Sequence, residues 1–322
     1  MNSGRFDDVS VIVRECGERT AEACIGQLVE IFHRPPTRIS ARPFHATLRQ
    51  SLESGLDQGR SWTLCIDADV LVLPGLAAFL EQARQMPPEV FEAQGLVIDK
   101  LLPVRRPAGN HLYRTCLIER AIPLIPTTGT LRPESDMILA MASQGHTAWQ
   151  SSTVVGLHDF EQAYDDIYRK ALLHGRKHDY LIAIYRPIWE ALGELDDDYR
   201  IARLALEHAS SHHGTPEISR DFGEIAAAEA QLALGLSAKG ALGTFRQSDV
   251  QSILARRKSL LAGIPELLEQ LQVSMYSDID PAGEDTPASS DTSRLHTIRC
   301  YLQQLVTAVR GSKIGGAGKQ GK

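Results

Sequence analysis

The sequence predicts an α/β fold in which a mixed sheet flanked by helices is followed by an all-helical C-terminal region. Up to about residue 160, apolar strand-like segments alternate with segments of helical apolar spacing, and beyond it helical spacing recurs alone. The chain has 322 residues, 43% of them hydrophobic, and is long enough for two domains. We expect an α/β domain over residues 1–160, a helical domain over residues 161–311 and a disordered tail over residues 312–322.

The first part of the chain contains the opening strands and helices of the sheet domain. VSVIV at residues 9–13 is largely β-branched, which is typical of a strand buried on both faces. A helix follows with Thr20 as its N-cap, and then a loop is expected over HRPPTRISARPF, residues 33–44. After a second helix, TLCI at residues 63–66 predicts the next strand, and Pro74 opens a third helix.

The remaining elements continue this pattern and then change it. EAQGLVIDKLL (92–102) predicts a strand, PESDMILAMASQG (133–145) a helix, and STVVGLHDF (152–160) a short strand that ends at a polar turn. The later segments with apolar periodicity are helical, which predicts the helical domain. A polar stretch containing Pro and Gly at residues 277–293 is expected to be a linker.

Composition and charge narrow the classes of function. The net charge of −6 does not favour non-specific nucleic-acid binding, so we expect no nucleic-acid partner. The five cysteines form no C-x-x-C pair, which favours reduced thiols over a disulfide framework or a zinc site. The N-terminus does not read as a secretory signal, and no apolar run approaches the roughly 20 residues of a membrane helix. We expect a cytoplasmic protein without a transmembrane segment, with peripheral membrane contact and oligomerisation left open.

Two aspartates lie inside the apolar stretch WTLCIDADVLVLPG (residues 62–75). Asp67 and Asp69 follow the predicted strand directly, and a buried carboxylate is costly unless its charge is compensated. Ligands of open α/β sheets bind outside the carboxyl ends of strands, and residues i and i+2 of an extended chain point to the same side. Two carboxylates placed there suit Mg²⁺ or Mn²⁺ together with phosphate oxygens. The structural alternative is a helix or turn cap at Asp67 with a solvated Asp69.

A histidine follows another apolar strand, at the boundary between the two halves of the chain. His158 comes directly after Leu157 and is followed by Asp159. Domain boundaries often line pockets, and an imidazole is an acceptable ligand for Mn²⁺ beside carboxylates and water. His158 is therefore a candidate second metal ligand, and a satisfied structural histidine is the alternative.

Four features together resemble a glycosyltransferase of the GT-A fold, close to the family-two type. They are the opening segment VSVIVRECGERT (9–20), the DAD triplet (67–69), the acidic helix start PESD (133–136) and the closing GLHD (156–159). The resemblance covers about residues 9–160. It implies a Rossmann-like mixed sheet that forms a nucleotide-sugar-binding catalytic domain.

The resemblance also implies an activity. A sugar would pass from a nucleoside-diphosphate sugar, UDP- or GDP-linked, to a hydroxyl acceptor such as a glycan, with inversion expected at the sugar. Surface glycan or polysaccharide synthesis is the setting it suggests. Mn²⁺ or Mg²⁺ would be the cofactor, because a diphosphate leaving group needs Lewis-acid help, and a base near the acceptor hydroxyl would complete the displacement.

Carried onto this chain, the resemblance assigns the metal and nucleotide contacts. Asp69 and His158 would be the metal ligands, and Asp67 would reach the ribose or a metal-bound water. The loop after the first strand would border the nucleotide through three residues: Arg14, Glu15 and Arg19.

The base and the phosphate-binding cations are less sharply assigned. Glu134 or Asp136 would be the acceptor base, and the structural alternative is a plain helix start with Pro133 and acidic residues in its first turn. The run YRKALLHGRKH (168–178) gathers cations just after His158. Its histidines at i and i+4 could bind a metal, its cations could contact the donor diphosphate, and a solvated basic face is the favoured interpretation for any one of them.

Two other classes of function fit part of the pattern. DADVLV also resembles the first motif of haloacid-dehalogenase phosphatases, in which Asp67 would be the nucleophile, although that motif normally opens its domain. A non-catalytic interaction protein on a glycosyltransferase-like fold is the other, because no second acidic motif stands between Phe32 and His45.

Overall fold

The computed structural model describes residues 5–128, 130–177, 182–209, 211 and 223–270. Within them the chain forms eight strands: β1 (Val9–Arg14), β2 (Thr37–Ile39), β3 (Trp62–Asp67), β4 (Val70–Val72), β5 (Glu92–Asp99), β6 (Arg105–Pro107), β7 (Asn110–Arg114) and β8 (Ala148–His158). The helices of the sheet region are α1 (Ala21–Phe32), α2 (Phe44–Gln58), α3 (Gly75–Ala83), α4 (Ile118–Ala121) and α5 (Pro133–Ser143). Those that follow are α6 (Tyr164–Lys177), α7 (Ile182–Gly193), α8 (Asp197–Ala209), α9 (Glu224–Ala233), α10 (Gln247–Leu261) and α11 (Pro265–Gln270).

The eight strands form one mixed sheet. Their order is β2-β1-β3-β7-β5-β8-β4, with β6 paired to β5. β1 is parallel to β2 and β3, and β5 is parallel to β8, whereas β7 is antiparallel to both β3 and β5. Helices pack on the sheet, and the described chain beyond β8 is helical. The predicted fold class, a mixed sheet flanked by helices and followed by a helical region, is confirmed.

The topology brings the carboxyl ends of two parallel strand pairs to one edge of the sheet. In the first pair, Arg14 at the end of β1 is in register with Asp67 at the end of β3. In the second pair, Asp99 at the end of β5 is in register with His158 at the end of β8. The antiparallel β4 begins at this edge, where Val70 pairs with His158. Polar side chains from distant parts of the sequence are therefore gathered at the edge where α/β sheets bind ligands.

Three details of the strands differ from the sequence prediction. β2 lies inside the predicted loop, because it is a three-residue edge strand without the apolar pattern of a buried one. β4 was hidden in the apolar run after Asp69, because the chain turns after β3 and β4 then pairs with β8. β8 has 11 residues and is not short, because its polar first half continues the pairing with β5.

Alternating strand residues build separate cores on the two faces of the sheet. On one face Leu64 and Ile66 of β3 lie with Leu28 of α1 and Phe79 of α3. On the other face Cys65 lies among side chains of α2, α4 and α5: Leu48, Leu52, Ile118, Met137 and Met141. Because both faces of the sheet are covered, β1 and β3 carry apolar residues at consecutive positions and not only at alternate ones.

The helical region has its own core and is anchored to the sheet at two places. α6, α7, α8, α9 and α11 share an apolar core that reaches Leu101 in the loop after β5. Trp189 donates a hydrogen bond to the carbonyl of Leu101 at 2.7 Å, and Tyr199 donates one to the carbonyl of Lys100 at 2.7 Å. α10 ends in the same core at Leu261, while its first half packs on the sheet, where Val250 is buried against Leu71 and neighbouring side chains. The loop after β5 is thus held by both halves of the chain.

Some sequence predictions concern parts of the chain that the structure does not describe. The predicted linker at 277–293, a predicted helix at 294–310, the tail at 312–322 and Cys300 lie outside the described residues. The four cysteines of the described residues are free thiols: Cys16, Cys24, Cys65 and Cys116. Across the described part of the chain, every helix is too short or too polar to span a bilayer.

The close approach of α2 to β3 predicts opposite effects for two glycine substitutions. An added Cβ at Gly55 would lie 2.3 Å from Thr63 Oγ1, whereas one at Gly26 of α1 would meet nothing within 4 Å. We expect Gly55→Ala to lower the free energy of unfolding by about 1–3 kcal/mol through overpacking. Gly26→Ala should raise it by about 0.5–1 kcal/mol, because alanine favours the helix. Urea denaturation measures both, and equal effects would contradict the packing described.

Candidate active site

The two aspartates of the DAD triplet lie at the same sheet edge but have different partners. Asp67 ends β3 and pairs with Arg14, while Asp69 stands in the turn to β4 beside His158 and Lys170. The cause is local: β3 ends at Asp67, and the chain turns before β4 begins at Val70. The strand-end triplet therefore contributes to two neighbouring charge clusters.

The first cluster is organised by a buried arginine. Arg14 is 3% exposed, and its Nε donates to Asp67 Oδ1 at 2.7 Å. Its Nη1 donates to Glu134 Oε1 at 2.5 Å, and the hydroxyl of Tyr113 donates to the same oxygen at 2.5 Å. Burial raises the pKa of Asp67 while Arg14 opposes that rise. A planar guanidinium with two carboxylates in its fork fixes both acids in orientation.

A histidine between two glutamates extends this cluster across the sheet. His111 Nε2 lies 3.1 Å from Glu134 Oε2, and His111 Nδ1 lies 2.9 Å from Glu92 Oε1. Burial alone would lower the pKa of His111, but Glu134 and Glu92 raise it to about 10. Burial would raise the pKa of Glu134, but Arg14 and His111 hold it well below its usual range. Both oxygens of Glu134 are therefore engaged, whereas Asp136 is half-buried and takes part in none of these contacts.

The second cluster surrounds His158. Its Nδ1 faces two carboxylates, Asp99 Oδ2 at 3.1 Å and Asp159 Oδ2 at 2.9 Å. Its Nε2 points towards Asp69, 3.7 Å from Oδ1. Burial would lower the pKa of His158, but Asp159 and Asp69 raise it to about 10. The ring is thus held through one nitrogen, and the other is directed at the DAD triplet.

Asp99 is a firmly held support for that ring. Arg106 Nε donates to Asp99 Oδ2 at 2.7 Å, and the Leu102 amide donates to Asp99 Oδ1 at 2.8 Å. Burial would raise the pKa of Asp99, but Arg106 and His158 hold it at about 2. Asp159 reaches the ring from the other side with a left-handed backbone at φ 65°, a conformation that aspartate tolerates better than most residues.

The donor atoms of this second cluster fit a divalent cation. Asp69, His158 and Asp159 each offer one ligand atom within 4.8 Å of the others. Asp69 Oδ1 is one of several buried polar atoms of the described residues without a hydrogen-bond partner, and among them it is a carboxylate oxygen that faces a histidine nitrogen, which a bound cation would satisfy. A histidine that ligates through one nitrogen and is oriented at the other by a carboxylate is the usual arrangement around a protein-bound metal. Asp69 Oδ1 and His158 Nε2 are the atoms best placed to hold such an ion, which on binding would displace the proton that the raised pKa of His158 keeps on the ring.

A lysine compensates the remaining oxygens. Lys170 of α6 is ion-paired through Nζ with both Asp69 Oδ2 and Asp159 Oδ1. Burial would lower the pKa of Lys170, but Asp159 and Asp69 raise it well above its usual value. The sequence placed Lys170 in a basic run without a specific partner, and the structure places its ammonium on the DAD triplet.

Two of the predicted nucleotide-bordering residues are engaged elsewhere on the surface. Arg19 donates from Nε to the carbonyl of Gly240 at 2.8 Å and from Nη1 to the carbonyl of Glu161 at 2.7 Å. Glu15 pairs with Arg38 of β2 at 2.8 Å. Both remain in the segment after β1, next to the sheet edge, and their role towards a nucleotide stays a prediction.

Sequence reasoning missed several members of the site. Asp99 carried a usable signal, because it ends an apolar strand as Asp67 does. Glu92 carried none, because it begins a strand and meets His111 only through the pairing of β5 with β7. Lys170 sits on a basic helix face where the sequence does not separate one lysine from its neighbours.

Comparison with known proteins adds little to this geometry. No known protein family matches the chain, and no curated protein matches it in sequence. Among solved structures, a mannosyltransferase of Pyrobaculum calidifontis in complex with GDP-Man and Mn²⁺ is 15% identical, with a TM-score of 0.39 over 82% of this chain and 87% of that one. A glycosyltransferase involved in glycosylating the major capsid protein of PBCV-1 is 10% identical, with a TM-score of 0.35 over 47% and 92%.

A third solved structure comes from a different class of enzyme. The putative glucose-1-phosphate thymidylyltransferase of Bacillus anthracis is 9% identical, with a TM-score of 0.31 over 45% of this chain and 87% of that one. Likeness at these scores is too low to carry a functional conclusion. The assignment of function therefore depends on the residues at the sheet edge.

The Arg14 cluster predicts a large loss of stability from one substitution. Arg14→Met leaves the carboxylates of Asp67 and Glu134 without their shared cation, and breaking a buried ion pair in this way costs about 3 kcal/mol or more. The control is Arg38→Met, which removes a half-exposed arginine from Glu15 and Glu22 and should cost less than about 1 kcal/mol. Chemical denaturation compares the two, and similar losses would argue against Arg14 as an organising residue.

Proposed function

We propose that this protein is a metal-dependent glycosyltransferase that moves a sugar from a nucleoside-diphosphate sugar to a hydroxyl acceptor. The observation that carries the proposal is the pair Asp69 Oδ1 and His158 Nε2. The oxygen is buried and, within the described residues, has no hydrogen-bond partner, and the nitrogen faces it at 3.7 Å. Together with the DAD triplet and the closing histidine, this pair matches the resemblance to GT-A enzymes of the family-two type.

The chain's own residues have distinct tasks in this proposal. Asp69 and His158 would hold Mn²⁺ or Mg²⁺, which when bound supplies Lewis-acid help to the diphosphate leaving group. Asp99 and Asp159 fix the His158 ring so that Nε2 stays directed at the site. Asp67, oriented by Arg14, would accept a hydrogen bond from the ribose or from a metal-bound water.

The donor-binding surface would be formed by the segment after β1. Arg14 is the buried last residue of β1 and not part of the loop as predicted, whereas Glu15 and Arg19 follow it, and we propose that this part of the chain borders a UDP- or GDP-linked sugar. The division of the chain near residue 160 would separate this donor-binding catalytic domain from a helical domain at 161–311. The acceptor class we propose is a glycan, as in surface glycan or polysaccharide synthesis, with inversion at the sugar.

The acceptor base is proposed to be one of the two acids at the start of α5. Both oxygens of Glu134 are already engaged, Oε1 as the acceptor for Arg14 and Tyr113 and Oε2 beside His111, and its lowered pKa makes it a weak base. Asp136 lies in the same helical turn outside that network. We therefore assign the base to Asp136 and the ordering of the sheet edge to Glu134.

The phosphatase alternative fits these contacts less well. Asp67 ends the third strand of the chain, after two helices, whereas the phosphatase motif normally opens its domain, and Arg14 already holds one of the two Asp67 oxygens, Oδ1. An acid role for Asp69 would conflict with its ion pair to Lys170. A phosphorylated Asp67 trapped during turnover would reverse this preference.

The proposed metal ligands predict a binding phenotype. The wild-type protein should bind UDP or GDP in the presence of Mn²⁺, and Asp69→Asn and His158→Ala should each weaken that binding by about tenfold or more, as for loss of a metal ligand. Matched controls are the exposed Asp57→Asn and the peripheral His146→Ala, which should leave it unchanged. Calorimetry decides the matter, and equal binding without metal would contradict the proposal.

The base assignment predicts different defects for the two acids of α5. Asp136→Asn should lower kcat about 100-fold or more with little change in donor binding or stability, because proton removal from the acceptor is lost. Glu134→Gln should chiefly lower the free energy of unfolding, because Arg14 and His111 lose their shared anion. Steady-state kinetics with a denaturation curve for each variant separates the roles. A large kcat loss confined to Glu134→Gln would assign the base to Glu134.

A further inference from the structure

Lys170 places a positive charge directly on the carboxylates of the proposed metal site. Its ammonium contacts Asp69 Oδ2 and Asp159 Oδ1, while Asp69 Oδ1 is left facing His158 Nε2. One carboxylate of the proposed metal site is therefore already neutralised by a cation that belongs to the chain.

That cation can move without moving its helix. The neighbouring residues Ile167, Ala171 and Leu172 are fully buried in the helical core, so the backbone of α6 is fixed. The side chain of lysine is a flexible four-carbon stem that ends in a compact charge, unlike the planar guanidinium of Arg14. Rotation of the stem alone would release Asp69 and Asp159.

Repulsion between Lys170 and a divalent ion links the binding of the ion to the binding of a nucleotide. A divalent ion approaching Asp69 Oδ1 and His158 Nε2 meets the ammonium of Lys170 a few ångströms away, and like charges at that distance repel strongly in a buried site. Arg169, which is also buried, adds a further positive charge beside Lys170. A nucleoside diphosphate brings several negative charges, which would accept the displaced ammonium. Ion and nucleotide should therefore favour each other's binding.

We propose that Lys170 is a tethered cation that couples metal binding to donor binding. In the free protein it occupies Asp69 and Asp159 and disfavours a divalent ion. When ion and nucleoside diphosphate arrive together, Lys170 leaves the carboxylates and pairs with the diphosphate oxygens. The role of the nucleotide in this coupling rests on the proposed glycosyltransferase function. The competition between lysine and ion does not.

The experiment measures Mn²⁺ binding by electron paramagnetic resonance, first without nucleotide and then with added UDP or GDP. In the wild type, added nucleotide should tighten Mn²⁺ binding about tenfold or more. Lys170→Met should bind Mn²⁺ alone about tenfold more tightly than the wild type, so that added nucleotide improves it much less. Lys239→Met is the matched control, because Lys239 pairs with Asp198 and the carbonyl of Gln162 and not with Asp69 or Asp159, and it should behave as the wild type.

Two further variants keep the test decisive. Lys170→Gln replaces the ammonium with a neutral hydrogen-bond donor and should also gain Mn²⁺ affinity if Lys170→Met does not fold. Lys170→Arg keeps the charge and should bind Mn²⁺ no more tightly than the wild type. Unchanged or weaker Mn²⁺ binding in a folded, neutral Lys170 variant overturns the inference.

The same data distinguish a failure of the proposed function from a failure of the inference about Lys170. If the wild type shows no Mn²⁺-dependent nucleotide binding but Lys170→Met gains Mn²⁺ affinity, the glycosyltransferase proposal fails while the competition between lysine and ion stands. If the wild type binds Mn²⁺ and nucleotide together and the neutral variants keep the wild-type coupling, the function stands and the role of Lys170 falls.

Discussion

The compensation of buried negative charge at one sheet edge is the constraint on which the site depends. Asp69, Asp99, Asp159 and Glu134 are all buried there, and each would be costly without a cation or hydrogen-bond donor nearby. Arg106 supplies the charge for Asp99, and other basic side chains supply it for the rest. The topology makes this possible because parallel pairing places strand ends from distant parts of the chain side by side.

This constraint joins the helical region to the chemistry of the sheet. Lys170 comes from α6, so the sheet domain without α6 would leave Asp69 and Asp159 without their cation. The loop after β5 is held from the same side, because Lys100 pairs with Asp196 at 3.2 Å and also with Asp198. Since that loop begins at Asp99, the support of the His158 ring also depends on the helical region. The second half of the chain is therefore part of the site's construction.

The sequence predicted the parts of the site that local signals describe. Asp69 comes two residues after the end of β3 and His158 ends β8, and the sheet brings Asp69 Oδ1 and His158 Nε2 to 3.7 Å from each other, as expected for a shared ligand. The strand ends alone could not predict which cation would compensate Asp69, because Lys170 lies about a hundred residues from Asp69 and its position depends on how α6 packs.

The link from Glu92 through His111 to Glu134 likewise depends on strand register. Periodicity carries no information about register between strands that are far apart in sequence.

The two halves of the DAD triplet are compensated by different kinds of cation, and this difference bears on mechanism. Arg14 and Lys170 each bridge two carboxylates, but the Arg14 side chain is 2% exposed and the Lys170 side chain is 15% exposed. Asp69 is held by a lysine whose stem can rotate while its helix stays in place. In the proposed glycosyltransferase, one of these contacts would stay in place while the other would be exchanged for the charged donor. On physical grounds the arginine suits the fixed contact, and the lysine suits the exchangeable one.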